Sequence, residues 1–269
     1  MHNLDVTPSI SALCAGYEGG KWRSAQLAEH TMNWLPEFCF NFKELIQLQS
    51  GNALSMIKQA ARMVYQTDKY GNRGEFGEIF LHIALRQVYQ SVPAISKIFF
   101  KDSVNNTVKG FDAVHVVQND EKWELWLGEV KFYDDYQGAI REVIKEISEH
   151  TKLDYLRNEK MLIANKLDEG HPFYEKLKEV LHQNTSLDVL FDCVCIPILV
   201  TYNSKVLSEH NKVTDDFKQQ ALEEVMSVRK YLEDKIPDGL SVKIHLFLIP
   251  LQDKKVLIEE LDNQLKGLQ

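Results

Sequence analysis

Two charged residues, Glu129 and Lys131, lie in a segment that otherwise has the pattern of a buried strand. The residues before them, WELWL, alternate large apolar and polar side chains with a period of two, as half-buried strands do. Because Glu129 and Lys131 are two residues apart, both side chains are expected on the apolar face of that strand. A carboxylate and an ammonium on an apolar face are costly to desolvate. Their presence therefore predicts a compensating partner.

The preceding strand supplies a second carboxylate. If Asp120 and Glu121 are the two central residues of a tight hairpin, Asp112 lies directly opposite Glu129. The same register brings together the aliphatic side chains of both strands, which are Val114, Val116, Leu125 and Leu127. Opposed carboxylates destabilise a hairpin unless a cation lies between them. The register therefore predicts a cation at Asp112 and Glu129.

A hard divalent ion, Mg²⁺ or Mn²⁺, suits these oxygen ligands, and substrate phosphate often completes such sites. Lys131 could then hold or deprotonate an attacking water, or stabilise the charge of a phosphate. The alternative is a solvated Glu129–Lys131 pair at a hairpin edge, because this spacing also occurs by chance. The apolar pattern of the preceding strand favours the functional interpretation.

The segment RGEFGE begins a predicted helix, and Glu75, Glu78 and His82 share one side of it. Glu75 lies near the helix N-terminus, where the macrodipole alone favours a carboxylate. Glu78 is therefore the better candidate ligand. His82 is expected to be an ordinary half-buried histidine, since the other candidates are oxygen ligands.

Three further ionisable residues lie near the motif in the sequence, and they are His115, Arg141 and Lys145. His115 lies on the other hairpin face from Asp112 by parity, which argues against it as a ligand. Arg141 and Lys145 are about one turn apart on the next predicted helix and could follow a phosphate backbone. Their acidic neighbours make a solvated helix face an equally good interpretation.

The order of elements predicts an α/β fold, a mixed sheet with helices on both faces. Strands are expected at 95–101, 110–118, 123–133, 187–202 and 241–251, and helices at 136–150, 152–166, 214–235 and 253–268. We expect a single domain over residues 1–269. It would consist of a helical N-terminal extension (1–66), a core that bears the motifs (70–150), and the remaining sheet and helices (151–269).

Composition narrows the possible environments. The 269 residues are 44% hydrophobic, and no apolar run approaches a membrane span. The N-terminus lacks the pattern of a secretory signal, and the four cysteines lack zinc-ligand spacing, so we expect reduced cysteines, a cytoplasmic location and no membrane. The net charge of −8 gives little non-specific attraction to nucleic acid. Any action on nucleic acid would need a local basic surface or a partner.

The segments RGEFGE, KGFDAVHVV and ELWLGEVKFY resemble, in that order, the motifs of the PD-(D/E)xK nuclease superfamily. More closely, residues 70–150 resemble the HamA family, nuclease subunits of the bacterial Hachiman anti-phage defence system. The resemblance implies a PD-(D/E)xK-like sheet and a Mg²⁺- or Mn²⁺-dependent deoxyribonuclease. Its catalytic residues would be Glu78, Asp112, Glu129 and Lys131, and its metal ligands Asp112, Glu129, Glu78 and the carbonyl of Val130. Phe111 stands where the superfamily has a proline.

The resemblance also implies a partner, the superfamily-2 helicase HamB, which would restrain the nuclease until the complex engages DNA. A helicase that binds DNA would supply the affinity that an acidic chain lacks. The N-terminal extension is a possible helicase-facing surface. The alternative function is a catalytically silent subunit with the same fold that regulates or docks the helicase.

Overall fold

A seven-stranded mixed sheet forms the centre of the chain, in the strand order β1-β2-β9-β8-β7-β6-β5. In this computed structural model the described residues are 1–65, 74–96, 110–119, 122–240 and 242–269. The strands are β1 (His2–Asn3), β2 (Ser9–Ala12), β3 (Tyr17–Glu18), β4 (Lys21–Trp22), β5 (Val92–Ile95), β6 (Ala113–Asn119), β7 (Lys122–Phe132), β8 (Val194–Asn203) and β9 (Lys243–Leu251). Strands β3 and β4 form a separate two-stranded sheet.

Helices cover both faces of the central sheet, so the predicted α/β class is confirmed. The helices are α1 (Ser24–Asn33), α2 (Leu35–Cys39), α3 (Phe42–Leu45), α4 (Ala53–Tyr65), α5 (Gly74–Tyr89), α6 (Tyr136–His150), α7 (Leu153–Ala164), α8 (Tyr174–Val180), α9 (Leu187–Cys193), α10 (Lys205–Glu209), α11 (Asp215–Glu233) and α12 (Lys254–Gly267). None of these helices is long and apolar enough to cross a membrane.

The central strands β7, β8 and β9 run parallel, and the hairpin β5-β6-β7 is antiparallel. Successive side chains of a strand point to opposite faces, so each strand contributes to two cores. Trp126, Val130 and Phe132 of β7 pack with α1, α2, α4, α5 and α12. Leu125 and Leu127 pack with α6, α7, α8, α9 and α11 on the other face. Because Glu129 and Lys131 continue the second set, they face α6.

Helix α6 begins close to the end of β7, because the carboxylate of Asp135 caps it. The carboxylate accepts hydrogen bonds from the backbone N–H groups of Gln137 (3.1 Å) and Gly138 (2.7 Å), which have no partner within the helix. The helix predicted at 136–150 is thus confirmed with the same bounds. Its apolar stripe, with Ile140 and Val143 buried, lies against the sheet.

Three expected elements differ from the structure. The N-terminal extension is helical only from Ser24 onward, because β1 and β2 belong to the main sheet and β3 and β4 pair with each other. The apolar run at 187–202 is split, since the Ser186 hydroxyl caps α9 and the strand begins only at Val194. The strand expected at 95–101 is found at Val92–Ile95, and residues 97–101 lie outside the described part of the chain.

Helix α5 approaches β7 so closely that Gly77 cannot carry a side chain without displacing it. A Cβ at this position would lie 2.6 Å from Val130 Cγ1 and 2.8 Å from Phe132 Cβ. Neither atom is the far end of a flexible side chain, so the helix itself would have to move. Because Glu78 is the next residue, the glycine also determines how near that carboxylate comes to β7.

We expect Gly77→Ala to lower the free energy of unfolding by about 1 to 3 kcal/mol, the usual cost of overpacking, despite the better helix propensity of alanine. Chemical denaturation of the two proteins measures this difference. Gly74→Ala is the matched control, because it lies on the same helix and a Cβ there meets nothing within 4 Å. Equal stability of the two variants would contradict the close packing of α5.

Candidate functional site

The hairpin of β6 and β7 has the register that the sequence predicts. The pairs run from Ala113 with Gly128 to Asn119 with Lys122, and the paired aliphatic residues include Val114 with Leu127. Asp112 lies one residue before the first pair. Its backbone N–H donates to the carbonyl of Gly128 (2.7 Å). The strand pairing thus delivers Asp112 to the middle of β7.

The carboxylate of Asp112 is hydrogen-bonded to the backbone of β7 next to Glu129. Its Oδ2 accepts a hydrogen bond from the backbone N–H of Val130 at 2.9 Å. The regular ladder ends at Ala113, so the period-two rule no longer determines the direction of the side chain before it. Asp112 still acts on Glu129 through its charge.

A cavity of about 560 Å³ opens at the end of β7. The residues that line it are Gly74, Glu78, Asp112, Val130, Lys131, Phe132, Tyr133, Asp134 and Lys254. Glu78 extends into the cavity from α5, and Asp112 is the residue immediately before β6. Four of the five residues singled out by the sequence, Glu78, Asp112, Val130 and Lys131, therefore surround one space.

Glu129, the fifth, does not line this cavity. Its side chain is 3% exposed, and its Oε1 is hydrogen-bonded to Nδ1 of His150 at the end of α6. His150 in turn stacks on Tyr155, with ring centroids 4.2 Å apart and planes 15° from parallel. The Phe111 ring also packs against the imidazole in a T-shaped arrangement, with ring centroids 5.2 Å apart. The Glu129 side chain is thus buried next to residues of the cavity lining but is not part of that lining.

Burial raises the pKa of Glu129 to about 7. The hydrogen bond from His150 opposes this shift, and the negative charge of Asp112 adds to it. The pKa of His150 is raised, because the carboxylate of Glu129 outweighs the effect of its burial. The two groups are therefore electrostatically coupled, and perturbed pKa values of this kind are frequent at functional sites.

Lys131 is held by two carboxylates of α6. Its ammonium lies 2.7 Å from Glu146 Oε1 and 3.4 Å from Glu142 Oε1. Burial lowers the pKa of Lys131, but the two glutamates outweigh burial and the net shift is upward. Lys131 therefore keeps its charge at neutral pH. This favours electrostatic stabilisation over proton abstraction as its role.

The remaining candidates lie elsewhere. His82 is fully buried between His115 Nε2 (3.3 Å from its Nδ1) and Glu37, as a core histidine rather than as part of the cavity. Arg141 is exposed and donates to the hydroxyl of Tyr231. The cavity lining contains none of Glu75, Arg141 and Lys145.

Sequence reasoning missed His150, Glu146 and Lys254. His150 continues the apolar stripe of α6 that includes Val143 and Ile147, so its spacing was a usable signal. Glu146 is one of the acidic residues of the helix face expected to be solvated, but in the structure it forms an ion pair with Lys131 of β7. Lys254 comes from the C-terminal helix, and no local pattern connects it to the motif.

The donor atoms at the cavity suit a hard cation. Three carboxylates, those of Glu78, Asp112 and Asp134, line it, and Mg²⁺ is typically held by one or two carboxylates together with waters. The described residues contain no group of three or more His, Cys, Asp or Glu side chains placed to hold a metal ion. The full predicted ligand set is therefore not assembled, because Glu129 is turned to His150.

Comparison with protein families gives a match over most of the chain. A family model described as HamA matches residues 2–265, nearly the whole chain. No curated protein sequence matches the chain. The matched region includes the hairpin, α5, α6 and most of α12, and with them every residue of the cavity.

Proposed function

Because this chain belongs to the HamA family, a component of the Hachiman anti-phage defence system, we propose that it is the nuclease of that system. The observation that carries the proposal is the meeting of Glu78, Asp112 and Lys131 around one cavity, with the buried Glu129 directly behind it. The substrate we propose is DNA, and the reaction is hydrolysis of a phosphodiester bond. The catalytic mechanism would then be of the PD-(D/E)xK nuclease type.

The proposed cofactor is Mg²⁺ or Mn²⁺. Asp112, Glu78 and the main-chain carbonyl of Val130 would hold it, and Glu129 would join them on release from His150. When bound, such an ion activates water and neutralises charge on a phosphodiester. Lys131 remains cationic beside the cavity, so it would attract the phosphate and stabilise the additional negative charge of the transition state.

A partner helicase of the superfamily-2 class, similar to HamB, is part of the proposal. The net charge of −8 opposes binding of a polyanion by the chain alone. A helicase that holds DNA would raise the local concentration of substrate at the cavity. The helicase would restrain the nuclease in the absence of DNA. Release of that restraint when the complex binds DNA would then permit cleavage.

The second candidate function is a catalytically silent subunit that regulates or docks the helicase. The internal pairing of the motif favours it, because Glu129 is bound to His150 and Lys131 to Glu146 within the chain. A silent subunit would keep these contacts permanently. In a nuclease, Glu129 would leave His150 and bind a metal ion.

Titration with Mg²⁺ and Mn²⁺ distinguishes the two functions. For a nuclease we expect the free energy of unfolding to rise with metal, by about 2.7 kcal/mol at a concentration a hundred times the Kd. Asp112→Asn should lose most of this gain, and Asp154→Asn, an exposed aspartate on α7, should keep it. Thermal unfolding at increasing metal concentration measures the effect.

Cleavage is then tested with plasmid DNA, ATP and Mg²⁺, with and without the helicase. Metal-dependent degradation that requires Asp112 supports the nuclease. No metal-dependent stability gain and no degradation with the helicase present would favour the silent subunit instead.

A further inference from the structure

Lys254, the first residue of α12, extends over the end of β7 to line the same cavity as Asp112 and Glu78. Its ammonium lies 4.8 Å from the centre of the Phe132 ring and 5.9 Å from that of Tyr133. A cation over aromatic faces is held electrostatically without being neutralised. The aromatic residues thus orient the charge and leave it available to an anion.

Lys254 is one of few positive charges at a cavity lined by several carboxylates. Among the described residues that line it, only Lys131 and Lys254 are basic. Lys131 is already paired with Glu146 and Glu142 of α6. Lys254 makes no ion pair with any carboxylate in the described part of the chain, and the nearby charge of Asp134 acts on it only at longer range.

We infer that Lys254 binds a backbone phosphate of the nucleic acid next to the one that is cleaved. This inference rests on the proposed nuclease function and adds a substrate contact to it. The cavity is lined by Glu78, Asp112 and Asp134, so a polyanion can enter only where a cation offsets their repulsion. A phosphate contact of this kind fixes the position of the strand without reading its sequence.

The next residue of the chain provides a matched control. Lys255 has the same charge and also lies in the first turn of α12, but it is exposed and does not line the cavity. A general effect of removing one positive charge would be equal in Lys254→Ala and Lys255→Ala. A contact at the cavity would appear only in the first variant.

The experiment measures binding of a fluorescent DNA duplex to the full chain in Ca²⁺, over a series of salt concentrations that begins low. We expect Lys254→Ala to weaken binding roughly 3- to 10-fold at low salt and to reduce the slope of log K against log salt by about 0.7 to 0.9, the loss of one phosphate contact. Lys254→Arg should restore both, and Lys255→Ala should match the parent. A role for Lys254 in packing alone would leave the salt slope unchanged.

Two outcomes would overturn the inference. One leaves the proposed nuclease function intact, and the other overturns that function as well. If Lys254→Ala keeps the parental affinity and slope while Lys131→Ala abolishes cleavage in the helicase complex, only the Lys254 contact is wrong. If the parent chain neither binds DNA at low salt nor cleaves it in the complex, the proposed function fails together with the contact.

Discussion

Replacement of both Glu129 and Lys131 by alanine is expected to abolish DNA cleavage and protection against phage, with a loss of at least about 10³-fold in cleavage rate. Glu129 would contribute a metal ligand, and Lys131 would contribute a fixed positive charge beside the cavity. Among the described residues that line the cavity, Lys254 is the other basic residue. Plasmid degradation by the helicase complex and plating efficiency of phage measure the effect.

The fold of this double variant should survive. The change removes an acid and a base together, so the net charge of the chain is unchanged, and the apolar residues of β7 on either side are untouched. The partners left behind, His150, Glu142 and Glu146, are each partly exposed, so water can solvate their charges. The matched control is Glu149→Ala with Lys152→Ala, an exposed pair whose charged atoms are 2.7 Å apart. Circular dichroism verifies folding. Cleavage by a folded double variant at the parental rate would end the assignment of the site.

The parts of the site that lie on neighbouring strands were predictable. The register of β6 and β7 followed from a two-residue turn and from the pairing of Val114 with Leu127, because a slip by one residue would expose the aliphatic side chains. The helix α6 followed from its apolar stripe. These features depend on residues close together in the sequence.

Other parts were beyond local patterns. The apolar run at 187–202 fits a helix or a strand by its pattern, and the N-cap at Ser186 is the local signal that the run begins with a helix, α9. The turn of Asp112 toward Val130 occurs where the ladder ends, and period-two reasoning does not apply there. Lys254 reaches the cavity because β9 lies two strands from β7 in the sheet, an order set by long-range contacts.

The contacts of Glu129 have a thermodynamic consequence. A buried carboxyl whose pKa is about 7 in the folded chain, against an ordinary value of 4.5, keeps its proton after the unfolded chain has lost it. Between these two values the folded chain binds more protons, so the free energy of unfolding falls as the pH rises. Above about pH 7 the whole penalty applies.

Glu129→Gln is therefore expected to stabilise the metal-free protein while it removes activity. Glutamine has the shape of a protonated glutamate and no charge to desolvate, so at pH 8 we expect a free energy of unfolding about 1 to 3 kcal/mol above that of the parent. The gain should narrow toward pH 5, where the parent carries the proton. Urea denaturation at both pH values measures it, with the exposed Glu149→Gln as control.

Addition of Mg²⁺ makes the same comparison informative about function. If Glu129 leaves His150 to bind a metal ion, the ion offsets the cost of the buried charge, and the parent should gain stability that Glu129→Gln does not. The difference between the two proteins at pH 8 would then shrink or reverse with metal. If the variant is no more stable than the parent in the metal-free state at pH 8, Glu129 is not a strained acid, and its pairing with His150 is a stabilising contact of the fold.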